Sequence, residues 1–372
     1  MKTPQERLLW FYPMLFGILG AFLGLLTRYL FTGVEIELPL KNFVHSHSHV
    51  MLLGFLFNAL VILLWSRFTN GIDKLSYHYF IALQVCVVGM LVTFIIQGYA
   101  LFSIIFSTVH LWISYIFLIR LWNRLNQQNG LSSLVKIGVV FHFLSSIGPY
   151  CLGPLMVFEM QNSPWYQQAI FFYLHFQFFG SLFLWLIALW LQKEEKTLNK
   201  TSILLLSLSI IGMFAHSLNY SFDHWLINIV GGLSSVLLLI VLIPFLKQKI
   251  QNNFIHYMLL LIGFLNVMGS IPSIAEIVIE NHFALIAWLH FLFLGLYVPF
   301  IWLKTPIKIN GWFWAIYTLV FLFSEFVLLF PELSFQVFGI SIMWLLFIVY
   351  CLVFICFCMI HFQYIFFKRQ TF

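Results

Sequence analysis

The chain has 372 residues, of which 62% are hydrophobic and only 8% charged, whereas soluble domains carry roughly 25% charged residues. So few charges cannot cover a water-facing surface, so a lipid bilayer is the expected solvent and first partner. The formal net charge of +6 does not point to nucleic acid, because no basic, aromatic-interleaved stretch is long enough to follow a phosphate backbone.

A membrane-spanning helix needs about 20 apolar residues. The apolar runs, in chain order, are Leu9–Leu25, Phe43–Trp65, Tyr79–Ile96, Tyr99–Ile119, Leu134–Phe158 and Trp165–Leu191. They continue as Ile203–Leu218, Trp225–Leu246, His256–Ile279, Phe283–Leu303, Gly311–Leu329 and Phe335–Phe367. This predicts an all-α polytopic membrane protein of about twelve spans, forming a single integral membrane domain over residues 1–372. A basic segment, Met1 to Arg7, precedes the first run, and no small-x-small cleavage site follows it. That run therefore reads as a retained span rather than a secretory signal.

Sidedness follows from the basic residues. With the N-terminus inside, Lys2, Arg7, Arg67, Lys74, Arg120, Arg124, Lys136, Lys193, Lys196, Lys200, Lys247, Lys249, Lys304, Lys308, Lys368 and Arg369 all fall inside. Those are sixteen of the 18 basic residues, leaving only Arg28 and Lys41 outside. Glu35, Glu37, Glu159, Asp223, Glu276, Glu280 and Glu332 show the reverse bias. One miscounted span would destroy this pattern, so it favours an even number of spans. Both termini are expected on the cytoplasmic side, in a bacterial inner membrane.

The five cysteines all lie inside apolar runs, and no Cys-x-x-Cys-His occurs, which excludes c-type haem attachment. The 13 histidines are more informative, because ionisable groups within a bilayer are costly. His78, His256 and His361 fall at or toward inner ends of spans and read as interface anchors. His224 and His282 fall in or beside outer loops. His49, His175 and His290 share a pattern: a histidine, four mostly large apolar residues, then Gly54, Gly180 or Gly295. With 21 glycines in 372 residues, fewer than one such match is expected by chance among 13 histidines. The three lie in spans two, six and ten, all entering from the outer side. Three copies of a four-helix unit would give this, with the histidines at similar height around a pseudo-threefold axis. Neutral imidazoles on converging helices suit iron or copper. Interhelical hydrogen bonding without metal is the plainer alternative.

A twelve-span chain with ligand histidines on spans two, six and ten resembles subunit I of the haem–copper oxidases, a superfamily that includes the nitric oxide reductases. The segment from His47-Ser48-His49 through Gly54-Phe55 to Asn58-Ala59-Leu60 is similar to the low-spin-haem segment of C-type oxidases. That match puts His47 at the ligand position, whereas the internal repeat favours His49 and tips the balance slightly toward it. The two are about 200° apart on an ideal helix, so only one can face an iron. The resemblance implies haem, with His290 as the partner axial ligand, and copper on His175, with His110 and His216 in reserve. It also implies an oxidoreductase of electron transport in the respiratory chain, binding or reducing O2 or NO, with electron-donor or other respiratory subunits as partners. The chain departs from the pattern in having no His-His pair and a single histidine, His216, on span seven. The usual full set of copper ligands is thus lacking. A second resemblance is to the NnrS family, haem- and copper-containing membrane proteins linked to nitric oxide stress. It rests on His47, His49, Met51, Leu52, Gly54 and Phe55, with Val50 where that family has glutamate. A metal-free transporter or assembly factor is the third reading, with Pro149, Pro154, Pro272 and Pro299 interrupting spans.

Overall fold

Lipid offers no hydrogen-bond partner to a backbone, so a span must satisfy its own amides and carbonyls as a helix. In the computed structural model the described residues contain helices and connections, with no strand. Those residues are 4–35, 38–126, 130–222, 224–244, 253–281, 283–305 and 307–366. Lys2, Glu37, Asp223, Lys247, Lys249, His282, Lys368 and Arg369, on which part of the sidedness and histidine reading rests, lie outside them.

Among the described residues, eleven helices are long and apolar enough to cross a membrane. Spans 1 to 4 are Leu8–Leu30, Leu40–Phe68, Lys74–Gln97 and Leu101–Arg124. Spans 5 to 8 are Leu131–Val157, Pro164–Lys193, Lys200–Leu218 and Trp225–Leu242. Spans 10 to 12 are Ala284–Lys304, Gly311–Leu329 and Ile342–Ile365. The ninth run, in which Pro272 was expected to interrupt the span, is two helices, Phe254–Met268 and Pro272–Glu280, bent by 98°. Pro272 opens the second of them, after backbone turns at Gly269 and Ser270. Counting the pair as one span gives twelve.

The chain divides into two compact units, Met1–Arg120 with Ile286–Phe372, and Leu121–Leu285. In the first, span 1 packs along spans 2 and 12, span 2 on span 3, and span 11 on span 12. In the second, span 5 packs on span 6, span 7 on span 8, and span 8 on the first half of span 9. This division groups spans 1–4 with 10–12, not four by four.

At the expected inner end of the first unit, Asp73 caps span 3, accepting from the amides of Leu75 and Ser76 and from the Ser76 hydroxyl at 2.7–3.1 Å. The Arg120 guanidinium donates to the same carboxylate at 2.9 Å. Burial works against the charge on Asp73, but the Ser76 bonds and Arg120 outweigh it and hold its pKa at about 2. The folded value is below the unfolded value of about 3.9, so this stabilisation is complete above about pH 4 and lost as pH falls toward 2. Asp73→Ala is expected to cost about 1–2 kcal/mol at neutral pH. Thermal melts of both proteins should converge as pH drops through that window, and a pH-independent gap would refute the assignment.

Candidate functional site

The three histidines of the repeat each sit immediately before a π-helical segment: Val50–Phe57 after His49, Phe176–Leu182 after His175, and Phe291–Tyr297 after His290. Well under 1% of residues in proteins are π-helical, and such segments gather at functional sites. The π hydrogen-bond step is i→i+5, the spacing from each histidine to its glycine. Glycine also lets a neighbouring helix close in. A Cβ at Gly54 would stand 2.9 Å from the Phe16 ring of span 1, and one at Gly180 2.9 Å from Phe141 of span 5. The three spans carrying these segments have 83%, 72% and 67% of their apolar stretch buried, against 61% or less in the other eight unbroken spans. They are the most buried of the unbroken spans among the described residues.

His47 and His49 precede the first π segment and point to different neighbours, as their angular separation requires. His47 Nδ1 donates to the Gly20 carbonyl of span 1 at 2.8 Å. Its ring lies over Gly24, where a Cβ would come within 2.7 Å of Cε1. His49 turns toward span 3. Its Nδ1 donates to its own helix at His45 O, 2.9 Å, and its ring lies 4.4 Å from the Phe94 ring.

His290 belongs with His47. The two imidazoles are within electrostatic range of each other and of Arg28. His290 Nδ1 is hydrogen-bonded at 2.6 Å to the Tyr350 hydroxyl of span 12. The Arg28 guanidinium lies 4.7 Å above the Tyr350 ring. Sequence reading put Arg28 among the outer charges, but it is 8% exposed, tucked in at the last turn of span 1. Its cation there favourably meets the helix dipole. Glu325 of span 11 stands within range of both Arg28 and Tyr350. It is 7% exposed; Oε1 accepts from Ser324 at 3.0 Å, and Oε2 is buried with no hydrogen-bond partner. No described residue hydrogen-bonds Nε2 of His47 or of His290. The site thus combines two imidazoles, each steadied through Nδ1, with a buried Arg28–Tyr350–Ser324–Glu325 cluster. Of this cluster, the sequence reading above named only Arg28, among the outer charges.

A second layer lies toward the other end of the same unit. His361, expected at an interface, is fully buried. Trp302 Nε1 donates to its Nε2 at 3.0 Å, and its Nδ1 donates to Met14 O at 2.9 Å. With both nitrogens used, His361 joins spans 1, 10 and 12 as a structural clamp. His256, also expected at an interface, is buried against Trp190 and bonded to Leu242 O.

In the second unit, His175 Nε2 donates to the Ile210 carbonyl of span 7 at 2.8 Å, with its ring among Phe176, Phe179 and Phe214. His216 lies within electrostatic range of it and pairs with the Ser235 hydroxyl at 3.0 Å. His110 is buried in the first unit against Phe57. Among the described residues no group of three or more His, Cys, Asp or Glu is placed to hold a metal ion. His175, His110 and His216 therefore do not fit a three-imidazole copper centre, and the interhelical bond of His175 accounts for its burial. His47 and His290 are each held through Nδ1, to Gly20 O and to the Tyr350 hydroxyl, as second-sphere partners hold imidazole ligands. No protein-family model matches the chain, and no curated protein matches it.

Proposed function

We propose that the protein is a membrane haem protein related in design to the oxidase and nitric oxide reductase catalytic subunits, with His47 and His290 as axial ligands. The observation that carries this reading is the pair of Nδ1 bonds, His47 to Gly20 O and His290 to Tyr350 Oη, which leave both Nε2 atoms for iron. Bound haem supplies one-electron chemistry and affinity for diatomic gases such as O2 or NO. The chain supplies the imidazoles, the tyrosine that fixes the His290 tautomer, and a buried cation at Arg28 to meet a carboxylate. His47 and His290 would hold the iron, and the bound haem would supply electron transfer. Copper is not part of the proposal.

The test is the visible spectrum of purified protein, which should show a low-spin Soret band. His47→Ala is expected to abolish that form, whereas His49→Ala should leave it intact. The opposite result would move the ligand to His49 and undo the assignment.

The sidedness of the basic residues supports cytoplasmic termini in a bacterial inner membrane, where an electron donor or respiratory subunit is the partner class. Reporter fusions after Lys200 and at the C-terminus should behave as cytoplasmic, and a periplasmic signal from either would overturn the orientation. The 98° break in span 9 favours a second reading, a metal-free transporter, since broken helices often mark transport sites. Absence of any Soret band from protein purified with haem supplied would select it.

A further inference from the structure

The π segment of span 10 runs into a proline. A helical carbonyl is met by the amide four residues on, or five in a π turn. The Val298 amide, just after Phe291–Tyr297, donates to Phe293 O, a five-residue step. The next bond in that series would bring the amide of residue 299 to Leu294 O. Residue 299 is proline, which has no N–H. Pro299 stands in the first turn of the helix Val298–Lys304, where proline is ordinarily harmless because first-turn amides have no helical partner. Here a π turn precedes that helix, and one carbonyl is left without its amide.

Span 11 supplies the missing donor. The Tyr317 hydroxyl donates to Leu294 O at 2.7 Å. Tyr317 is buried, with its ring edge-on to Trp302 at 4.9 Å and stacked beside Phe321 at 6.4 Å. Lipid cannot stand in for the hydroxyl, and an unmet carbonyl at membrane depth is costly. Span 2 treats its own π segment in a similar way. The Asn58 amide goes to Phe55 O, while its side-chain Nδ2 donates to Gly54 O at 2.8 Å and to Gln84 of span 3. In both spans a side chain tied to a neighbouring helix meets a carbonyl of the segment that follows the histidine.

We propose that Tyr317 is a positioning residue for His290. Its hydroxyl replaces the amide that Pro299 lacks, keeps the π turn wound, and so fixes the depth at which His290 presents its imidazole. Tyr350 holds the ring, and this turn holds the backbone beneath it. Without the hydroxyl the turn rewinds to relieve Leu294 O and carries His290 with it. The consequence for an axial ligand rests on the haem reading, whereas the coupling of Tyr317 to Pro299 does not.

The test combines two substitutions in full-length protein purified in detergent. Tyr317→Phe keeps the ring and removes only the hydroxyl. It should lower the melting temperature by about 2–4 °C. In haem-free protein it should also raise the rate at which diethyl pyrocarbonate modifies His290, counted by mass spectrometry. With haem loaded, part of the low-spin Soret band should become high-spin. Pro299→Ala returns an amide five residues after Leu294. Alone it should melt at or above wild type, since proline is the poorest helix former. In that background Tyr317→Phe should change neither the melting temperature nor the rate at His290. An unchanged rate at His290 in Tyr317→Phe overturns the proposal, as does an effect that persists undiminished beside Pro299→Ala. Coupling without any Soret band would sink the haem reading and leave the Tyr317–Pro299 pairing standing.

Discussion

Replacing His290 with alanine is expected to convert a six-coordinate low-spin haem into a five-coordinate high-spin one that binds carbon monoxide. The imidazole supplies one of two axial ligands in the proposed site, and its removal leaves His47 alone. The cost to the fold should be modest. Tyr350 loses a 2.6 Å hydrogen bond but keeps the Arg28 guanidinium over its ring. Its hydroxyl keeps Arg28 and Ser324 as side-chain hydrogen-bond partners, so the loss is about 0.5–1.5 kcal/mol. Tyr350→Phe is the companion measurement. It keeps both imidazoles but removes the partner of His290 Nδ1, making that ligand less basic. Haem should stay low-spin, with a raised reduction potential. A normal low-spin spectrum in His290→Ala would end the assignment.

His361→Ala should produce the largest loss of stability of any histidine substitution in the chain. The ring is fully buried between Phe55 and Phe357, at 5.3 and 5.1 Å between centroids. Truncation leaves a cavity, orphans the Trp302 indole N–H and frees the Met14 carbonyl. Cavity and lost bonds together are worth about 3–5 kcal/mol. That is a large part of the 5–15 kcal/mol that usually holds a fold. A fall in melting temperature on the order of 10 °C is expected in detergent. Gly17→Leu should do the same from the other side, since a Cβ at Gly17 would collide with the His361 ring. Phe362→Ala, exposed on the lipid face, should melt near wild type. A melting curve for His361→Ala that overlays wild type would show that the clamp is not one.

The spans were legible in the sequence because a bilayer imposes a length and an apolar character on each. Direction is not encoded that way, so Pro272 marked an interruption of span 9 but not the 98° turn that it opens. The five-residue spacing from His49, His175 and His290 to glycine was visible, but its meaning as a π-helical step was not, since periodicity arguments assume 3.6 residues per turn. The burial of Arg28 was hidden for a related reason. A lone arginine at a span end looks solvated until the packing of Tyr350 and Glu325 around it is known. Tyr350 itself could not be found, because a tyrosine in a run rich in aromatics carries no signal of its own. The proposed choice of His47 over His49 draws on the neighbouring helices, since the internal repeat favours His49 and the C-type resemblance favours His47.

The π segments also set rotational phase. In span 2, the N-terminal half is keyed to span 1 through His47 and Gly20, and the C-terminal half to span 3 through Asn58 and Gln84. The widened turns of Val50–Phe57 lie between these two keys. Removing one residue from that segment would turn one half against the other by about 100°. Either His47 would leave Gly20, or Asn58 would leave Gln84. Span 2 therefore works as a gear with a fixed offset, tolerant of substitution in its large apolar residues but intolerant of any change in their number.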